Sequence, residues 1–220
     1  MKKRNVMTMA LSLAMVGVIA VGGTLAYLTA TDGSVTNTFA FVTKDPDDTG
    51  VINVKLEEGK PFEAGSEGVA SVSSNTQGGY DYTNVVPNQT LPKAPEVSVK
   101  TKVESYVYVR VTEGTGETAV TVKEDTLNSN WTLLESASTG TSKVYYYKTP
   151  VAPNTKYESL GNIFTEVQIP NIATENEGQA VQLQNVKIEV AAIQTDASFE
   201  TAVDAYTEGN VAAIFKTVAD

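Results

Sequence analysis

Residues 105–112, SYVYVRVT, alternate two kinds of side chain along the whole run. Val107, Val109 and Val111 occupy one set of alternate positions, and Tyr106, Tyr108 and Arg110 occupy the other. Successive side chains of a β-strand point to opposite faces of its sheet. The pattern therefore predicts a strand with one aliphatic face and one aromatic and polar face. It is the clearest strand signal in the chain.

Shorter runs of the same character lie on both sides of this strand, and Gly, Pro and Asn residues separate them. The predicted strands include residues 51–57, 131–134, 144–148 and 163–169, and a long strand from Gly178 to Gln194. Many short strands with Gly and Pro turns and few helical segments are typical of a β-sandwich or barrel. The sequence thus predicts an all-β domain.

Two segments depart from this pattern. Gly59–Gly79 is rich in Gly, Ser and Glu and has little periodicity, which predicts a long loop or insertion. Apolar residues near the C-terminus recur at helical spacing and predict two short helices packed on the sandwich. They are Phe199, Val203 and Tyr206 in the first helix, and Val211, Ile214, Phe215 and Val218 in the second.

The first 26 residues have the order of a secretory signal peptide. Lys2, Lys3 and Arg4 are cationic, Met7–Ala20 is almost entirely apolar, and small residues close the run up to Ala26. The apolar run is shorter than the roughly 20 residues that span a bilayer. We expect export of the protein, and an uncleaved membrane anchor is the alternative.

Composition excludes several kinds of chemistry. The chain has no Cys and no His, so a disulfide framework, a His-containing catalytic triad and a His-Glu-x-x-His zinc site are impossible. Its formal charge is −10, and without the three basic residues of the signal it becomes −13. Such a chain repels nucleic acid and anionic lipid, so we expect neither as a partner.

Several stretches, taken in order, resemble the TasA/camelysin family of secreted proteins from Gram-positive bacteria. The N-terminal part of the resemblance is carried by residues 22–29, 31–33 and 37–39. Its internal part is carried by residues 86–90, 97–100, 105–111, 130–133, 145–148, 151–155, 163–164, 167–170 and 188–194. The resemblance covers most of the chain after the signal, except Gly59–Gly79.

The resemblance implies a jelly-roll sandwich that works in the extracellular matrix or at the cell surface, as a fibre-forming biofilm subunit or its accessory. It also implies removal of the signal by a dedicated ER-type signal peptidase near Ala26, which leaves Tyr27 close to the mature start. The expected organisation is a signal peptide (1–26), an N-terminal arm (27–42) and a jelly-roll domain (43–220).

The N-terminal arm has the features of a donor strand, a segment that completes the sheet of a neighbouring molecule. It combines a polar start with spaced apolar anchors at Leu28, Val35, Phe39 and Phe41. An extended segment of this kind adds to an open sheet edge, and head-to-tail addition builds an open filament. Self-association into filaments is therefore the expected partnership, and other matrix proteins are possible partners. The alternative is that the arm pairs with its own sheet in a monomer.

We expect no enzyme activity, no cofactor and no bound metal. Camelysin-like proteins have been classed as metallopeptidases, but this chain has no His to hold zinc. The densest acidic cluster, Asp45, Asp47 and Asp48, lacks the Gly and the terminal Glu of an EF-hand loop, which favours a solvated turn.

The tyrosines allow a second function, a monomeric surface adhesin or accessory protein that binds a glycan or a host component. Tyr106, Tyr108 and residues 145–147 would then form an aromatic surface. Alternating tyrosines are more often cross-strand packing pairs, so core packing is the favoured interpretation for them and for Trp131.

Overall fold

The computed structural model describes residues 29–35, 50–58, 71–74, 80–83, 85–172, 175–176, 179–195, 201–208, 211–212 and 215. Among the described residues, the 3-10 turns Glu124–Thr126 and Glu135–Ala137 and the α-helix α1 (Ala202–Glu208) accompany the strands, and residues 211, 212 and 215 are also helical. The strands are β1 (Thr29–Val35), β2 (Ile52–Glu58), β3 (Ser71–Ser74), β4 (Tyr80–Thr83), β5 (Thr90–Pro92), β6 (Pro95–Thr101), β7 (Ser105–Thr112), β8 (Thr121–Val122), β9 (Trp131–Leu133), β10 (Ser142–Tyr147), β11 (Glu158–Asn162), β12 (Glu166–Gln168), β13 (Glu175–Asn176), β14 (Gln179–Ala180) and β15 (Lys187–Gln194).

The strands form an antiparallel all-β sandwich. One layer is a five-stranded sheet with the order β1-β15-β7-β10-β9. Two three-stranded sheets, β11-β6-β2 and β5-β12-β8, lie against it, and β3-β4 and β13-β14 are small hairpins. The chain passes repeatedly from one sheet to another between consecutive strands, and sheet neighbours such as β15 and β7 are far apart in sequence. The predicted all-β sandwich is confirmed.

The main core lies between the five-stranded sheet and the two smaller sheets. Val107, Val109 and Val111 of β7 face it, as the alternation predicts. Aliphatic side chains from both layers fill the rest of this core, including Val54, Leu56, Val97, Val99, Leu91, Val167, Ile188 and Val190. Since each fully buried side chain of this size contributes about 1.5–3 kcal/mol, this core is the main source of stability in a chain without disulfides.

A second core covers the opposite face of the five-stranded sheet. Tyr108, Ala191 and Ile193 on the sheet contact the C-terminal helical segment. The buried residues of that segment are Ala202, Ala205, Tyr206, Val211 and Phe215. The predicted packing on the sandwich is thus confirmed for Tyr206, Val211 and Phe215, whereas Phe199, Ile214 and Val218 lie outside the described residues. Val203, which the sequence assigned to the buried stripe, is 37% exposed.

Two predicted segments differ from the structure. The expected long strand from Gly178 is wrong, because β15 begins only at Lys187. Gln184 instead bonds through its side chain to the backbone N–H and carbonyl of Thr115, at 2.9 Å each, and forms a parallel bridge with Ala119. β3 lies within the stretch expected to be a loop, and it pairs over four register positions with β4, which directly follows that stretch.

Candidate assembly site

β1 is an edge strand of the five-stranded sheet, and β15 is its neighbour there. The register places Ala30 opposite Ala192 and Asp32 opposite Val190. It then shifts by one residue, so that Val35 lies opposite Ile188. A bulge of this kind increases the local twist of an edge and fixes the register on both sides of it.

β1 also lies against β2, an edge strand of one of the smaller sheets. It therefore closes the side of the sandwich where the two layers meet. Three side chains of β2, Ile52, Val54 and Leu56, are buried beside it in the main core. Removal of β1 would expose the hydrogen-bonding groups of β15 and open this flank of the core.

β15 is held in the sheet by contacts that do not involve β1. On its other side it pairs with β7 over eight register positions, without a bulge. Ile188, Val190 and Ala192 face the main core, whereas Ala191 and Ile193 face the second core. Because both faces of β15 are covered, only the edge that β1 occupies remains open to exchange.

Of the four predicted donor-strand anchors, only Val35 lies within the described residues, as the last residue of β1. Leu28, Phe39 and Phe41 lie outside them, as do the predicted cleavage residues Ala26 and Tyr27 and the acidic cluster at 45–48. In this structure β1 pairs with β15 of its own chain, which is the monomeric arrangement expected as the alternative to donation.

The C-terminal segment is held on the outer face of the five-stranded sheet by two side chains of β7. The Tyr108 hydroxyl donates a hydrogen bond of 2.6 Å to the carbonyl of Ala202, where α1 begins. The Arg110 guanidinium donates to the carbonyl of Phe215, lies over the Phe215 ring at 4.9 Å, and donates to Glu189 Oε2 at 2.5 Å. Burial raises the pKa of the Tyr108 phenol above its usual value, so the hydroxyl keeps its proton further into alkaline solution.

A buried ion pair lies at the end of β2. Lys93 Nζ is 3.0 Å from Glu58 Oε1, and neither side chain is exposed to solvent. Burial lowers the pKa of Lys93 to about 8 and raises that of Glu58, although each charge partly offsets the effect on the other. The Tyr82 hydroxyl donates to the Pro92 carbonyl at 2.7 Å and, over a longer 3.4 Å, to Glu58 Oε1.

Sequence reasoning missed this pair. Lys93 lies in the short connection between β5 and β6, and Glu58 ends β2. Lys and Glu are almost never fully buried unless paired, so an isolated Lys in a connection predicts exposure. The strand pattern of β2 gives no sign that Lys93 is its partner.

The tyrosines and Trp131 behave mainly as core residues. Tyr108, Tyr145 and Trp131 are buried, and the Trp131 ring meets Tyr147 edge-on at 5.3 Å. Tyr106 and Tyr146 pack against the second core and are partly buried. The favoured interpretation of these aromatic residues is thus confirmed for the three buried ones.

Within the part of the chain that the structure describes, no three acidic side chains come together in a group that fits a metal ion. None of the helices found there has the length and apolar character needed to cross a membrane.

The chain matches no protein-family model, no curated protein and no solved structure. Its membership of the TasA/camelysin family therefore stays a prediction that rests on the resembling stretches of sequence.

Proposed function

We propose that this protein is a secreted structural subunit of an extracellular matrix fibre, and that it assembles when β1 of one molecule pairs with β15 of the next. The observation that carries the proposal is the position of β1. It is an edge strand, it closes the side of the sandwich between β15 and β2, and it lies at the start of the chain after the predicted signal.

Exchange of β1 needs no new kind of contact. A copy of β1 from a neighbour would make the same backbone hydrogen bonds to β15 and the same register that β1 makes within its own chain. Each molecule would accept one strand and donate another, so the contact does not close on itself and the assembly grows as a filament. Cleavage of the signal would release the arm only outside the cell.

The rest of the proposal follows from composition. A chain without His or Cys, with a formal charge of −13 after removal of the signal, suits an extracellular scaffold that acts without catalysis, metal or nucleic acid. We expect purified protein to have no peptidase activity.

The first test is electron microscopy of purified protein that begins at Tyr27, beside a version that lacks Tyr27–Val42. Filaments from the first protein and none from the second would support the proposal. If both proteins are folded and monomeric, the fibre function is refuted, and binding of glycans or surface components becomes the next function to test.

The second test uses introduced cysteines, because the natural chain has none. Ala30 and Ala192 are register partners, and paired strand residues have Cα atoms about 4.5–5.5 Å apart, a separation that a disulfide spans. Filaments grown from a mixture of A30C and A192C proteins should form disulfide-linked dimers on oxidation. The double variant, oxidised as a monomer, should not assemble until it is reduced.

The matched control is a register pair inside one subunit. Lys55 of β2 faces Ser98 of β6, and neither strand is proposed to move. A mixture of K55C and S98C proteins should form filaments without a disulfide between molecules. Filaments in which A30C and A192C also remain unlinked would show that assembly does not use β1 and β15.

A further inference from the structure

The buried pair of Lys93 and Glu58 holds an amine against a carboxyl group in a site without exposed surface. The amine nitrogen is 3.0 Å from Glu58 Oε1, and the carboxyl carbon is bonded directly to that oxygen. Near-attack conformers hold the reacting atoms about 3–3.5 Å apart, so the nitrogen has to turn out of its hydrogen bond with Oε1 to approach this carbon within that range. Water is excluded, because neither side chain has any exposed surface.

The two oxygens of Glu58 have different surroundings. Oε1 accepts a hydrogen bond from Lys93, and the Tyr82 hydroxyl lies 3.4 Å from it. Oε2 is buried and has no hydrogen-bond partner among the described residues. A charged carboxylate oxygen without a partner is costly in a dry site, whereas loss of that oxygen would remove the cost.

We propose that Lys93 and Glu58 condense to an intramolecular isopeptide bond, which joins the end of β2 to the connection between β5 and β6. The bond is independent of the proposed assembly through β1, since it lies within one chain and involves neither β1 nor β15.

The reaction needs only the neutral forms of the two groups. Transfer of one proton from the ammonium to the carboxylate gives an amine and a carboxylic acid without any outside reagent. Burial disfavours both charges, lowering the pKa of Lys93 and raising that of Glu58, and so favours this transfer.

The step balances as a condensation. Nζ of Lys93 attacks Cδ of Glu58, the new Nζ–Cδ bond forms, and an electron pair moves onto Oε1. The Tyr82 hydroxyl would stabilise the developing charge there by turning its one proton from the Pro92 carbonyl to Oε1. A proton then passes from Nζ to the Oε2 hydroxyl, the electron pair on Oε1 re-forms the carbonyl, the Cδ–Oε2 bond breaks, and one water molecule leaves. The products are a neutral amide and water.

The isopeptide bond would stabilise the fold of a chain that has no disulfides. A covalent link between distant residues stabilises a fold chiefly by restricting the unfolded chain. Lys93 and Glu58 are 35 residues apart in sequence, so the link would close a loop that includes the β3-β4 hairpin.

The decisive experiment is the intact mass of the denatured full chain, followed by a peptide map. We expect a mass lower by one water molecule than the sequence requires, a branched peptide that joins Lys93 to Glu58, and no tryptic cleavage after Lys93. The branched peptide separates this bond from other losses of water. A full sequence mass together with a linear Lys93 peptide would overturn the proposal, and neither measurement needs a variant that folds.

The chain supplies its own control. Lys123 Nζ lies 2.9 Å from Glu166 Oε2, nearly the same separation, but both side chains are about one-third exposed. The peptides that contain these residues should remain linear, because both side chains keep their contact with water.

Two variants test the roles of the groups. K93R keeps the positive charge and should restore the full mass, whereas K123R should still lack one water. Y82F should slow the appearance of the branched peptide by at least tenfold in freshly made protein. An unchanged rate in Y82F would refute the role of the Tyr82 hydroxyl.

Discussion

The two faces of the five-stranded sheet are buried in different ways. The inner face presents Val107, Val109 and Val111 to an aliphatic core shared with the smaller sheets. On the outer face, Tyr108 and Arg110 bind two backbone carbonyls of the C-terminal segment by directional hydrogen bonds. Close packing of apolar side chains therefore stabilises the inner face. On the outer face, polar side chains also hold the C-terminal segment in place by hydrogen bonds.

Because other parts of the chain cover both faces of the five-stranded sheet, we expect assembly to use an edge of this sheet. Antiparallel sheets commonly leave one face to water, but in this sheet β15 is buried on both sides, and the outer face of β7 is buried or half-buried. A partner strand therefore finds unpaired backbone groups only along the edges of the sheet. The β1 edge is the longer of the two, with seven residues against three in β9.

The largest expected effect compares two isoleucines of β15. Ile188 faces the main core and Ile193 faces the second core, and both are almost completely buried. Ile188→Ala should lower the free energy of unfolding by about 4 kcal/mol, near the upper end for such truncations. Ile193→Ala should cost about 2 kcal/mol, because a short helical segment can shift and fill part of the cavity.

Chemical denaturation of the two variants measures this difference. Equal losses, or a larger loss for Ile193→Ala, would show that the C-terminal segment is packed as rigidly as the second layer of the sandwich. The proposed difference in packing between the inner and outer faces of the sheet would then be wrong.

The next effect concerns Arg110, which holds the C-terminal segment. Arg110→Met leaves Glu189, 2% exposed, with Lys187 at 3.4 Å as its remaining cation among the described residues. Loss of one partner of a buried pair costs about 3–5 kcal/mol, and the second cation should reduce this to about 2 kcal/mol. Hydrogen exchange should increase at Val211 and Ala212, while the amides of β7 and β15 stay protected.

Lys143→Met is the matched control for this prediction. Lys143, on β10, forms a pair with Glu124, but the Glu124 side chain is 72% exposed. Exposed pairs contribute less than about 1 kcal/mol. Similar losses in the two variants would mean that burial of Glu189 is not the reason for the effect of Arg110.

The sequence predicted the faces of the sheet better than the partners of its strands. The alternation of β7 identified its core valines because the side-chain period of a strand is fixed at two residues. Nothing local identifies β15 as the neighbour of β1, since that pairing joins opposite ends of the chain. Likewise, the predicted arm includes β1, but its place in its own sheet follows only from the three-dimensional structure.

The other differences between the predictions and the structure arise at small and polar residues, whose burial is hard to predict from sequence. The search for helical spacing selected large apolar residues and so included Val203, whereas the close contact with the sheet is made by Ala202 and Ala205. A small side chain brings a helix near a sheet, but it gives a weak signal in the sequence. Burial of Lys93 likewise depends on a partner that only the fold brings near.

The smallest expected effect is the dependence of stability on alkaline pH. Burial raises the pKa of Tyr108 and of Tyr206 on the outer side and that of Tyr145 in the main core. Above pH about 10 the unfolded chain loses these phenolic protons while the folded chain keeps them. The folded state then binds more protons, so the free energy of unfolding falls as pH rises, by at most about 1.4 kcal/mol per pH unit for each tyrosine.

Tyr108→Phe separates the contribution of the outer face. At pH 8 the variant should be less stable by about 1 kcal/mol, because the carbonyl of Ala202 loses its donor. Above pH 10 the wild-type protein loses stability more steeply than the variant, so the two curves should converge in denaturation experiments between pH 8 and pH 11. Tyr145→Phe should flatten the curve in the same way, but only Tyr108→Phe should speed hydrogen exchange in α1. Parallel curves for the wild-type protein and Tyr108→Phe would show that the Tyr108 phenol ionises as readily in the folded protein as in the unfolded chain, and that its hydroxyl is not held against the C-terminal segment.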